Sequence, residues 1–297
     1  MALGSKSFSL ASRLFTAQVR ESATLLYAWC RYCDDVIDGQ HLGHGQTMAS
    51  PQDGLIKINS LEAATRRAIA GAPDDHPVFI GLAEVLQRHN IPAHYPIEHL
   101  AGYRMDVENV SYTTFGTTLD YCWRVAGVVG VMMSMVMGQR DAATLDRAAD
   151  LGIAFQLTNI ARDVVEDAQC QRVYIPSEWL AKEGIYSSAQ VVEQEQRAAL
   201  ARVVARLVDA ADPYYQSAGV GIAALPLRSA WSIATARGAY RHIGQRVKSH
   251  GPNAWDQRIQ SSNVNKLWFV AKGAAFALAA QKLRTTPRPG FLWTRPY

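Results

Sequence analysis

Apolar residues recur three and four positions apart along most of this chain, in segments rich in Ala, Leu, Arg, Gln and Glu, while alternating Val/Ile/Thr runs bounded by turns are almost absent. That spacing follows the 3.6-residue turn of a helix and not the two-residue pleat of a strand, so the pattern predicts an all-α fold. Helices are expected near residues 5–16, 18–38, 57–71, 76–89, 96–109, 114–137, 142–168, 187–218, 222–249 and 262–284. Gly39 to Gly54 is the clearest loop, and Pro213, Pro226 and Pro252 mark later bends or boundaries, because proline lacks the N–H a helix needs. No solenoid-type repeat is present. Residues 1–286 are read as one domain, and the Pro-rich 287–297 as a mobile C-terminal tail.

Composition agrees with a protein that buries a sizeable core: of 297 residues, 48% are hydrophobic and 19% charged. The longest apolar run, Val125 to Gly138, is too short to cross a bilayer, and Leu267 to Ala280 is broken by Lys272 and Gly273, so no spanning helix is expected. The 30 Lys and Arg are scattered among 26 acids for a net charge of +4, which argues against a nucleic-acid partner. No leader pattern precedes the first helical segment, and a cytoplasmic location is expected, with peripheral contact at the inner membrane. Cys30 and Cys33 form a C-x-x-C pair, but they lie in an apolar helix and the other two cysteines stand alone, so they read as small buried hydrophobes and not as a zinc or redox site.

Two acidic pairs carry the chemistry. Asp34 and Asp38 stand four residues apart, one turn above the other on a single helix face, and Asp163 and Asp167 repeat the geometry, with Glu166 beside them. Like charges at this spacing destabilise a helix, and a solvated acidic face is the ordinary reading of one such pair. Here each pair ends a markedly apolar helix, which turns the carboxylates toward whatever cavity the apolar faces enclose. Opposed pairs of this kind make a hard, oxygen-only site suited to Mg²⁺ and to substrate phosphate oxygens. Arg31 and Arg162 lie close enough in sequence to hold diphosphate, and Gln156 and Asn159 are amides on an apolar helix that need a ligand, a metal-bound water or a side chain as partner. Gly4 to Phe8 caps a helix or offers an anion a helix N-terminus. Phe8, Tyr27 and Tyr121 are either plain core or aromatic faces for a cation.

Taken together, Gly4-Ser5-Lys6-Ser7-Phe8, Tyr27, the Arg31 and DDVID segment, Asp120 to Gly130, Gln156 to Asp167, Arg172-Val173-Tyr174-Ile175-Pro176, Arg258 and Lys266 resemble the squalene and phytoene synthase family. The resemblance spans nearly the whole chain in ordered segments, where a lone acidic motif would be weak. It implies a single-domain isoprenoid synthase fold, a helical bundle around a central apolar cavity with the acidic motifs facing each other at its mouth. It further implies that Asp34, Asp38, Asp163 and Asp167, with Asn159, hold Mg²⁺ or Mn²⁺; that Ser5, Lys6, Arg31, Arg162, Arg258 and Lys266 contact diphosphate; and that Tyr27, Tyr121, Phe8, Gln156 and Tyr240 serve catalysis or line the substrate site.

The reaction so implied is the head-to-head condensation of two geranylgeranyl diphosphates through prephytoene diphosphate to phytoene, a committed step of carotenoid synthesis that needs no NADPH. Dehydrosqualene or squalene synthesis from farnesyl diphosphate is the nearest alternative, a terpene cyclase the next, and a non-catalytic helical scaffold the last. Ser12 and Thr24, small residues on the first two expected helices, leave room for a longer tail if they line the cavity.

Overall fold

The structure, a computed structural model, describes residues 12–39, 51–257, 259, 263–280 and 286–296; among them are helices and turns and no strand. The helices are α1 (Ala17–Asp38), α2 (Pro51–Ile69), α3 (Pro77–Arg88), α4 (His94–Val107), α5 (Phe115–Cys122), α6 (Val128–Val136), α7 (Ala142–Gln169), α8 (Ser177–Ala181), α9 (Ser188–Val192), α10 (Arg197–Gly221), α11 (Leu227–His250) and α12 (Asn263–Ala280). Local chemistry sets many of the ends. Thr16 caps α1 by accepting from the Val19 N–H, and Gly39 closes it in the left-handed conformation at φ 62°. Asp141 caps α7 by accepting from the Thr144 N–H at 2.9 Å, and Thr114 and Thr117 form a reciprocal capping box on α5.

α7 runs through the centre, with α10 and α11 packed on it from one side and α6 from another, while α1 and α3 pair beside α2 and α4. Leu145, Ala149, Ile153, Leu157, Ile160, Ala161 and Val164 of α7 are all buried. Between α5 and α6 the backbone makes a π-helical turn, Trp123–Gly127. Here α7 comes very close: a Cβ on Gly152 would lie 2.2 Å from the Ala126 carbonyl oxygen, and one on Gly130 would lie 2.4 Å from that of Ala148. Only glycine permits this crossing.

Several sequence expectations are corrected. The single helix expected over 114–137 contains the π-helical turn, and with it the run 115–136 is long and apolar enough to cross a membrane by length and composition; most of it is buried within the protein. The helix expected over 187–218 is broken at Glu193, whose backbone is extended, into α9 and α10. Pro213 lies inside α10 and ends nothing. The loop read as Gly39 to Gly54 already gives way to α2 at Pro51, since proline is well tolerated in a first helical turn. Residues 5–11 of the first expected helix lie outside the described residues, and 13–16 form a turn.

The C-terminal stretch is irregular, as its prolines require, but it is docked and not mobile. Leu292 is buried, the Trp293 ring stacks on Trp123 with centroids 5.2 Å apart, and Trp293 Nε1 donates to Asp120 Oδ1 at 2.7 Å. Arg288 donates to both oxygens of the fully buried Asp150, at 2.8 and 2.7 Å, and Arg295 pairs with Asp146 at 2.5 Å. Arginine supplies these contacts because its planar fork matches a carboxylate.

Candidate active site

A cavity of about 410 Å³ opens between α1, α4, the π-helical turn, α6, α7, α10 and α11. One face of α7 supplies its wall: Thr144, Arg147, Ala148, Leu151, Gly152, Phe155, Gln156 and Asn159 follow at three- and four-residue steps. α1 adds Tyr27, Cys30, Arg31 and Asp34, and α11 adds Tyr240, whose ring stacks on Phe155 with centroids 4.2 Å apart. The polar group at one end of the α7 face is Asn159, which donates to Gln156 Oε1 at 3.3 Å, so the two amides partly satisfy each other.

Around this end the acidic residues are held by arginines. Arg31 donates to Asp34 at 2.5 Å and stands 4.0 Å from Asp35; Arg162 holds both oxygens of Asp163, at 2.8 and 2.5 Å; Arg172, on the loop after α7, donates to Asp38 at 2.6 Å. Asp106, on α4, accepts from Tyr121 at 3.1 Å and from Tyr174 at 2.9 Å, and these two tyrosine rings stack on each other 4.5 Å apart.

The two motifs share one electrostatic field. Asp34 is pushed up to about 7, first by the protein packed around it and then by Asp38, against the pull of Arg31, although 32% of its side-chain surface is open. Burial pushes Asp106 up to about 6, with Arg172 and the two tyrosines pulling against it. Asp167 is raised well above the usual carboxylate range by burial and by Asp163, with Arg172 opposing and Asp106 adding. Burial works against the charge on Arg172, but Tyr174, Asp106 and Asp38 outweigh it and hold its pKa above the ordinary value. Asp106 and Arg172 thus act electrostatically on both motifs: Asp106 on Asp34 and Asp167, Arg172 on Asp167 and, through a hydrogen bond, on Asp38.

Of the residues singled out from sequence, Tyr27, Arg31, Asp34, Gln156, Asn159 and Tyr240 line the cavity. Asp38 and Asp163 are not among the lining residues but stand one helical turn beyond Asp34 and Asn159, which are, with Asp167 a further turn on and Arg162 in electrostatic reach of Tyr240. Tyr121 is not among the lining residues; its hydroxyl goes to Asp106. Ser5, Lys6, Phe8 and Arg258 lie outside the described residues, as does the side chain of Lys266. Asp106, Arg172 and Tyr174 were not assigned roles by sequence. Asp106 has no acidic partner one turn away, and Arg172 follows a helix with no periodic signal of its own.

A family model, Squalene/phytoene synthase, matches residues 1–265. The chain belongs to the squalene/phytoene synthase family. Among similar relatives, a 15-cis-phytoene synthase of Pantoea ananas is 49% identical over 296 residues, covering 100% of this chain and 96% of that one. A 15-cis-phytoene synthase of Paracoccus sp. is 45% identical, covering 99% and 95%. A solved dehydrosqualene synthase in complex with ligand has the same fold at a TM-score of 0.82 and 25% identity over 93% of each chain. A squalene synthase HpnC from Alicyclobacillus acidocaldarius, at 23% identity and a TM-score of 0.73, shares the fold over 84% of this chain and 90% of that one.

Within this synthase fold the donor chemistry suits a hard divalent cation. Among the described residues the two acidic motifs and Asn159 offer carboxylate and amide oxygens, and burial together with neighbouring acids raises the pKa values of Asp34 and Asp167. Among the described residues no three acidic, His or Cys side chains are gathered closely enough to hold an ion by themselves.

Proposed function

We propose that this chain condenses two geranylgeranyl diphosphates head to head, through prephytoene diphosphate, to phytoene with release of two diphosphates, and so acts as a prenyl transferase of carotenoid synthesis. The observation that carries this reading is the joining of an arginine-and-carboxylate rim to an apolar cavity along one face of α7. From Asn159 to Thr144 that face is about 22 Å long at 1.5 Å per residue, and an extended chain advances roughly 1.2 Å per bond, so it accommodates a sixteen-carbon prenyl backbone of about 18 Å. A farnesyl chain would leave the Thr144 end unfilled. The phytoene synthases of Pantoea ananas and Paracoccus sp. point the same way.

Asp34, Asp38, Asn159, Asp163 and Asp167 would hold Mg²⁺ or Mn²⁺, which when bound neutralises diphosphate and makes it a better leaving group. Arg31, Arg162 and Arg172 are placed to receive diphosphate oxygens as their carboxylates turn to the cation. Tyr27, Phe155 and Tyr240 supply aromatic rings to the wall around the cation left behind, and the apolar walls keep water from it. Tyr121 acts through Asp106, whose position it holds.

Peripheral membrane contact from a cytoplasmic site is part of the same reading. Leu267, Trp268 and Leu278 are exposed on α12 beside Lys272, a face suited to the interface that product and substrate require. Incubation with geranylgeranyl or farnesyl diphosphate, with and without Mg²⁺ and NADPH, followed by mass spectrometry of extracted hydrocarbons, tests the function. Metal-dependent phytoene indifferent to NADPH is the expected result; a C30 product alone moves the assignment to the farnesyl-using alternatives. Sedimentation with anionic vesicles tests the membrane contact, which fails if the chain stays in the supernatant.

A further inference from the structure

A prenyl chain entering the cavity from the carboxylate end meets, at the other end, a place where helices stop. Phe15 precedes α1, Met137 follows α6, Thr144 and Arg147 lie in the first two turns of α7, Gly221 ends α10 and Leu225 lies just beyond it; all six line the cavity. Asp34, near the C-terminal end of α1, and Asn159, further along α7, line the opposite end.

Among these six, Arg147 alone carries a charge, and a cation is a costly wall for hydrocarbon, so its presence calls for a reason that leucine would not meet. The side chain is buried and its guanidinium is spent on protein groups. Nη1 donates to the Ser217 carbonyl at 3.1 Å and to the Ser217 hydroxyl at 3.3 Å, and Nη2 donates to the Thr286 carbonyl of the docked C-terminal stretch. Ser217 Oγ is itself fixed by donating to Asp150 at 2.5 Å. The methylene stem lies against Gly221, where an added Cβ would come within 2.7 Å of Arg147 Cβ. A floor of Leu or Met yields by changing rotamer, methionine most readily, whereas a side chain bonded through both terminal nitrogens does not swing aside.

The lengths agree with a stop at this position. Arg147 precedes Asn159 by twelve residues, about 18 Å along the axis of α7, and the sixteen-carbon backbone of a geranylgeranyl chain is about 18 Å long. One more isoprene unit adds four backbone bonds and overshoots by about 5 Å; a farnesyl chain falls short by the same amount, about 5 Å.

We propose, resting on the condensation proposed above, that Arg147, locked by Ser217 and by the C-terminal stretch, is the stop that sets the upper limit of prenyl length. A geranylgeranyl chain reaches it, and a chain one isoprene unit longer is refused. Through Thr286 the C-terminal stretch takes part in this selection, although none of its described residues lines the cavity.

Arg147→Ala removes the stop, and Arg147→Lys keeps a cation able to donate to the same carbonyls. Each full chain is assayed with Mg²⁺ against geranylgeranyl diphosphate and against its C25 homologue, and kcat/KM is compared for the two. In Arg147→Ala the ratio of longer to shorter substrate is expected to rise about tenfold or more over wild type, the scale on which a few methylenes count in an apolar pocket, while Arg147→Lys stays within about threefold. A ratio in Arg147→Ala within about twofold of wild type overturns the proposal, as does an equal rise in both variants, which marks a general loosening of the fold. Should the alanine variant not fold, wild type decides. Irradiated with a geranylgeranyl diphosphate bearing a diazirine on its last isoprene unit, it is expected to carry label on Arg147, Met137 or Leu225 by peptide mass spectrometry; a chain with none of the three labelled overturns the proposal. Wild type that makes no phytoene refutes the proposed function, whereas phytoene made beside an unmoved substrate ratio refutes the stop alone.

Discussion

α7 carries Asp–Arg chemistry at both ends, and the two ends are built on opposite principles. Near its C-terminus, Asp163 and Asp167 join Asp34, Asp38 and Asp106 in a cluster where acids outnumber Arg31, Arg162 and Arg172, and the carboxylate pKa values of Asp34, Asp106 and Asp167 are driven upward. Near its N-terminus, Asp146 and Asp150 are met by Arg147, Arg288 and Arg295. Asp150, although fully buried and raised by that burial, accepts two bonds from Arg288 and one from Ser217 at 2.5 Å. Arg147 in turn donates to Ser217 and to the Thr286 carbonyl. A buried charge network with its partners in place holds structure together, whereas one short of cations stores repulsion that a ligand can relieve.

The contrast is broken most sharply by removing one acid from each end. Asp163→Ala is expected to lower phytoene turnover by about a thousandfold, roughly 4 kcal/mol of transition-state stabilisation, with a smaller fall in melting temperature in metal-free buffer than at the other end, because the loss of Arg162's two bonds is offset by relief of the repulsion on Asp167. Steady-state kinetics beside calorimetry reads both. Asp150→Ala should do the reverse, destabilising the fold by about 3–5 kcal/mol because Arg288 is left buried and unpaired, with turnover per folded molecule little changed. A Tm that does not move would show the C-terminal docking to be ornamental.

Acidity separates the ends next. Asp34 and Asp106 have folded pKa values of about 7 and about 6 against an ordinary 3.8, so between those limits the folded chain binds more protons than the unfolded one. Their contribution is intact at low pH and lost as pH rises through the folded values. His99, depressed by burial from 6.5 to about 4, works in the opposite sense and costs stability on acidification through that window. Above pH 6.5 the raised carboxylates dominate, and metal-free wild type is expected to lose more stability from pH 6.5 to 8 than Asp34→Asn, in which Asp106 and Asp167 still titrate; added Mg²⁺ should restore the wild type. Equal pH profiles for the two chains would refute the account. Smallest is Arg288→Lys, which retains charge but loses the two-pronged contact, at about 1–2 kcal/mol by denaturant titration.

Much of this molecule is local and therefore legible in sequence. The helices follow from apolar spacing, and Asp34/Asp38 and Asp163/Asp167 are recognisable because four-residue spacing on a helix fixes a shared face without reference to anything distant. The resemblance carried by the segments around them predicted the fold and the family, and both are found. Where sequence went astray, the determinant was distant. The tail was read as mobile from its prolines, yet Arg288 and Trp293 are anchored by Asp150, Trp123 and Asp120, all more than a hundred residues away.

By itself, then, the sequence determined the all-helical class, the two acidic faces with their neighbouring Arg31 and Arg162, and the apolar helices that carry them, since each depends on the repeat of a single helix. Only the tertiary structure decided that Asp106 and Arg172 act on both motifs, that Tyr121 serves Asp106 instead of lining the cavity, that the π-helical turn bonds His99, and that Arg288 and Arg295 dock on the N-terminal part of α7. Those arrangements depend on which helices meet and at what depth. Burial and charge pairing at such meetings are properties of several segments at once, and no one stretch of chain contains them.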